Sequence, residues 1–185
     1  MMPVASALSR LRMSPIIRAF TLAEAAAFRE IRLEALRLHP DAFGATFEEE
    51  ASRDVACFAA GMPQDPPDAI LGAWLPGEAA PQAMAGLHAE PRRKLAHKGQ
   101  VWGVYVRRVA RSQGLGRLLL ERTIAVARDA GLETLRLTVS AEAVAAHALY
   151  VALGFRAYGT DPRGLKLGPG QYVDEVLMAL DLRGV

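Results

Sequence analysis

Arg111, Gly114 and Gly116, within Arg111-Ser112-Gln113-Gly114-Leu115-Gly116-Arg117, have the types and spacing of an anion site. The segment follows an apolar run, "VWGVYV" at 101–106, and precedes an apolar-striped one from about 115 to 130. Glycines at the mouth of a helix lack Cβ atoms, so an oxygen can approach the main chain where the first N–H groups have no partner inside the helix. The helix dipole favours negative charge at the same place, and Arg111 and Arg117 add charge-assisted donors. Several converging amides suit a pyrophosphate better than a single carboxylate. Two other phosphate signatures fail: no Lys-Ser/Thr pair follows the glycines, and Leu119 stands where a dinucleotide fingerprint needs its third glycine. A strand-to-helix turn with glycines for geometry alone remains the competing reading.

The elements around this turn follow from periodicity. A strand at about 15–19 leads to Thr21-x-x-Glu24, a capping box that opens a helix with Phe28, Ile31, Ala35 and Leu38 on one face. His39-Pro40 ends that helix. A second box, Thr46-x-x-Glu49, starts another, expected to run to about Ala60, and "MPQDPPD" reads as loop. Strands are expected at 69–75, 83–90 and 101–106, with the basic segment 91–100 as a connection. The helix after Gly114 stops at Gly131, a strand covers 135–139, and an alanine-rich helix at 142–153 stops at Gly154. Residues 155–158 and 172–182 close the pattern as two strands around a proline- and glycine-bearing loop. The order β-α-α-β-β-β-α-β-α-β-β predicts an α/β or α+β domain: a mixed sheet with helices on both faces.

Composition narrows the class. The chain has 185 residues, 51% hydrophobic and 23% charged, which fits one globular domain over 15–185 behind an N-terminal extension, 1–14. A net charge of +2 and the short cluster Arg92-Arg93-Lys94 argue against nucleic acid as a partner. No run is long enough to span a membrane, no leader is legible, and Cys57 is the single cysteine, so a cytoplasmic address is expected, with Cys57 buried in a helix. Four histidines and one cysteine without ligand spacing predict no metal centre.

The stretch Val101–Phe155 resembles the GNAT superfamily of acetyl-CoA-dependent N-acetyltransferases. The strand, then Arg111-x-x-Gly114-x-Gly116, then a helix match its central motif; Leu149-Tyr150 and Gly154-Phe155 match L-Y-x-x-x-G-F in spacing and order. The resemblance implies a mostly antiparallel sheet of six to seven strands and acetyl-CoA as cofactor. It also implies that the backbone of Ser112, Gln113, Gly114, Leu115, Gly116 and Arg117 holds the pyrophosphate. The strand Val104-Tyr105-Val106 would pair with the pantetheine arm, and an N–H near Val106 would polarise the thioester carbonyl, which needs that strand bulged or splayed. Tyr150 matches the family's general acid. Two departures stand out: Ala143 replaces an asparagine that often contacts the cofactor, and Ser112 replaces a frequent glycine.

For the base, His88 and Glu90 are the first expectation, alternating on the strand before the thioester strand. Glu48, Glu49, Asp174 and Glu175 are alternatives, Glu49 already explained by its capping box. The expected activity is acetyl transfer to a primary amine of a small molecule or peptide; the rival is a non-catalytic acyl-CoA-binding module. Exposed sheet edges make a homodimer a further expectation.

Overall fold

The computed structural model describes residues 14–184; all of the expected N-terminal extension but Ser14 lies outside them. Seven strands form one sheet in the order β1-β2-β3-β4-β5-β7-β6: β1 (Ile16–Ala19), β2 (Ala69–Trp74), β3 (Ala83–Ala89), β4 (Lys98–Val106), β5 (Thr134–Ser140), β6 (Arg156–Gly168) and β7 (Gln171–Asp181). All neighbours are antiparallel except β4 and β5, so the expected mixed sheet is present.

One face carries α1 (Ala25–Leu38), α2 (Phe47–Ala51) and α3 (Val55–Gly61); the other carries α4 (Leu115–Asp129) and α5 (Val144–Ala152). Phe28 and Ile31 of α1 and Phe58 of α3 pack against Ile70, Trp74, Met84 and Tyr105 of the sheet. On the opposite face Leu120 and Ile124 of α4 and Tyr150 of α5 pack against Leu135, Leu137 and Met178. Each such buried large side chain contributes roughly 1.5–3 kcal/mol. Among the described residues no helix is long and apolar enough to cross a membrane.

Local signals place most boundaries. Glu24 accepts from the Thr21 N–H at 2.9 Å, and α1 stops one residue before His39-Pro40. Gly131 and Gly154 take left-handed φ angles of 77° and 94° behind α4 and α5.

Four expectations need correction. The single helix expected over 46–60 is two, because Arg29 of α1 donates to the Ala51 and Arg53 carbonyls and Asp54 caps a fresh start through the Cys57 N–H. Cys57 is exposed rather than buried. The expected loop around Pro162, Gly164 and Gly168 is mostly strand: β6 absorbs these residues as register shifts against β7. β4 also begins three residues earlier than expected, inside the supposed connection.

Candidate active site

The site arises where two strands part. β4 and β5 pair only through Lys98–Gln100 and Thr134–Arg136; beyond Gln100 they diverge and the β4 edge toward β5 is bare. A register shift in β3–β4 between Met84 and Gly86 puts an extra residue into β4, and Gly103, with φ 63°, sits at that bulge. The Arg107 N–H donates to Gln82 on the β3 side, so by strand alternation the amides of Val104 and Val106 face the open edge. The strand is therefore both bulged and splayed at its C-terminal end.

That open end faces the mouth of α4. The first intrahelical bond runs from Leu118 N–H to Gly114 O, and the N–H groups from Ser112 to Arg117 donate to nothing else among the described residues. Ser112 (φ 61°) and Gly114 (φ 76°) both take left-handed backbone, and such turns make a concave nest of amides that favours anions. A Cβ on Gly116 would meet Val106 Cγ2 at 3.2 Å and Leu149 Cδ2 at 3.5 Å, filling the gap between the strand tip and α5. The gap, the nest and the bare edge line one cleft of about 780 Å³, whose walls include His39, Phe43, Val104, Val106, Gly116, Ala143, Leu149 and Tyr150.

The arginines near the nest are already engaged. Arg111 Nε donates to Val106 O at 3.0 Å and Nη2 to His39 Nε2 at 2.8 Å, so its guanidinium ties the strand tip to the end of α1. Arg117 Nε pairs with Glu121 Oε1 at 2.8 Å, one turn on. Ala143 is the N-cap of α5 and lines the cleft without a side-chain cap bond.

Tyr150 is buried against Phe155, and its hydroxyl makes no hydrogen bond among the described residues. Burial pushes this phenol up to about 12. Tyr105, expected only to lend backbone, also donates its hydroxyl to Glu34 at 2.8 Å on the α1 face; burial, then that carboxylate, raises it to about 12.

His88 and Glu90 are not brought to the cleft. His88 pairs with Gln100, at the closed end of the sheet, whereas Ala83 is the residue opposite Val106, roughly 17 Å away along β3 at about 3.3 Å per residue. His88 Nδ1 is held by Asp68 at 2.6 Å, and Glu90, past the end of β3, binds Arg136 at 2.9 Å. Alternation placed them on one strand but said nothing of which end of it met the splay. Cleft residues that sequence reasoning left without a role in the site include His39 and Phe43. The glycine inside "VWGVYV" was the available signal for the bulge.

A model of the acetyltransferase (GNAT) family matches residues 27–155. The chain belongs to the GNAT acetyltransferase family, and with it come acyl transfer and the donor acetyl-CoA. The acetyltransferase of GNAT family from Streptococcus pneumoniae is 25% identical, with a TM-score of 0.75 over 90% of this chain and 98% of that one. A structure from Salmonella typhimurium described with its cofactor acetyl-CoA is 24% identical, with a TM-score of 0.72 over 92% and 95%. The ribosomal-protein-alanine N-acetyltransferase from Brucella melitensis is 24% identical, with a TM-score of 0.69 over 90% and 99%. No curated protein matches the chain.

Proposed function

We propose that this protein transfers an acetyl group from acetyl-CoA to a primary amine by direct attack within a ternary complex. The observation that carries the reading is the adjacency of an amide nest at the start of α4 to a strand whose bare edge opens beside it. When bound, acetyl-CoA supplies an acetyl thioester, a carbonyl activated toward nitrogen. The nest amides from Ser112 to Arg117 hold the pyrophosphate, and the free edge of Val104–Val106 pairs with the amide-bearing arm as an added strand. The Val106 N–H then donates to the carbonyl oxygen as its charge grows. Arg111 positions it by holding the carbonyl of the same residue.

Tyr150 serves the leaving sulfur. A phenol at about 12 stays protonated at every physiological pH, so its O–H is always available as a donor. Against a thiol near 8.5 complete proton transfer is uphill, and the hydroxyl therefore acts first as a hydrogen-bond donor to the developing thiolate. Attack by the amine nitrogen would form the C–N bond as the C–S bond breaks; the proton the nitrogen gives up to solvent would match the one the departing thiolate takes up, with the Tyr150 O–H hydrogen-bonded to the sulfur.

Two measurements test this. Calorimetry with coenzyme A gives saturable binding, and thiol release appears when a primary amine is added. Tyr150→Phe lowers kcat by about 10²–10³-fold, the range for losing one donor to developing charge, with coenzyme A affinity within about threefold of wild type. Binding without thiol release across a broad amine panel favours the acyl-CoA-binding module instead.

A further inference from the structure

The nest and Tyr150 take the donor on the α4 face of the sheet, which leaves the α1 face open to the acceptor. Val104 and Val106 pack with the clusters that hold α4, the face of the nest and Tyr150. Trp102 and Tyr105 pack with the cluster that holds α1. An amine approaching the bare β4 edge opposite the donor therefore arrives along the α1 face, past the bulge at Gly103.

A buried arginine waits at that bulge. Arg32, on α1, is only 7% exposed, and its charge is matched by Glu50: Nε lies 3.0 Å from Oε2 and Nη2 lies 2.7 Å from Oε1. The guanidinium sits 5.2 Å from the Phe43 ring centroid and 5.9 Å from that of Trp102. Nη1, in contrast, donates to nothing among the described residues. It lies 3.7 Å from where a Cβ on Gly103 would stand, and the left-handed glycine leaves that place bare. Unlike Arg107 Nε and Arg136 Nε, which are enclosed without a partner, Nη1 keeps a path to solvent, so a ligand oxygen can take the place of water there. Phe43 both flanks this guanidinium and lines the cleft, which connects the two.

Building on the acetyltransferase reading, we infer that Arg32 Nη1 receives a carbonyl oxygen of the acceptor, so that the acceptor is an α-amino acyl compound, its amine one carbon from that carbonyl. Glu50 decides which kind. Because it already neutralises Arg32, a free carboxylate would be a second, unmatched anion beside Glu50, whereas a neutral amide carbonyl adds no charge. The class is therefore an amino-acid amide or the amino terminus of a peptide, and Arg32 is a specificity-determining residue. Lysine side chains and polyamines have no carbonyl at that distance.

The test is a matched comparison by thiol release with wild-type protein and acetyl-CoA. Alaninamide, leucinamide and phenylalaninamide are each set against the free amino acid and against ethylamine, isoamylamine and phenethylamine. At least one amide exceeds both of its partners in kcat/KM by about tenfold or more, as expected for a hydrogen bond to a charged donor. The paired variant Arg32→Gln with Glu50→Gln, which leaves no lone buried charge, brings that advantage below about threefold while coenzyme A affinity is kept. Plain amines or free amino acids that equal or surpass the amides overturn the inference, as does an advantage that survives the paired variant. Turnover confined to spermidine or Nα-acetyl-lysine overturns it while leaving the acetyltransferase reading intact. Absence of thiol release with every amine sinks both. If the paired variant does not fold, the wild-type comparison decides alone.

Discussion

Ser112 holds a φ of 61°, a region that costs a side-chain-bearing residue about 1–2 kcal/mol, and no neighbour forces it there except the nest itself. The glycine common at this place in related motifs now has a physical reason: the second residue of the turn must be left-handed for the amides to converge. Ser112→Gly relieves that strain and loses about 0.5–1 kcal/mol to the greater freedom of the unfolded chain, so a net gain of about 0.5–1 kcal/mol is expected. In thermal unfolding this appears as a rise of about 1–4 °C, whereas Ser112→Val lowers the midpoint. An unchanged or lower midpoint for the glycine variant means that the serine is not strained. Tyr150 teaches the complementary lesson. Its place in L-Y-x-x-x-G-F was readable from spacing, but its titration was not, because only packing against Phe155 and the core lifts it to about 12.

At the scale of elements, β4 ends where three interactions converge on its tip: the bulge at Gly103, the Arg111 bond to the Val106 carbonyl, and the Tyr105 bond to Glu34 of α1. The sequence suggested Arg111 as a phosphate ligand, since an arginine before glycines at a helix mouth invites that reading. Its side chain turns back on the strand instead, and the two roles predict different kinetics. Arg111→Met frees the Val106 carbonyl and lowers kcat by about tenfold or more, with coenzyme A affinity changed by less than about threefold. A phosphate ligand would show the reverse, a salt-dependent loss of affinity at constant kcat. Helix ends were legible because their signals are local, as at His39-Pro40, Gly131 and Gly154. The break between α2 and α3 was not, because its cause, Arg29, comes from another helix.

For the whole molecule, the order of elements and the mixed sheet were readable from periodicity, whereas the place where the sheet parts was not. Parting is a matter of register: β4 meets β5 over only Lys98–Gln100, and no residue type marks where pairing stops. His88 and Glu90 went to the wrong end of the molecule for this reason. The same short seam makes the sheet two panels, β1 to β4 and β5, β7 and β6, laced together at one end. Deuterium uptake ought to trace that seam residue by residue. Protons on the nitrogens of Val104 and Val106 trade with solvent early, while that of Tyr105, which faces β3, lags behind. Coenzyme A would then slow the first two and leave the third alone, like a zip drawn part of the way up. Equal uptake along 104–106 in the free protein would mean that the panels close in solution.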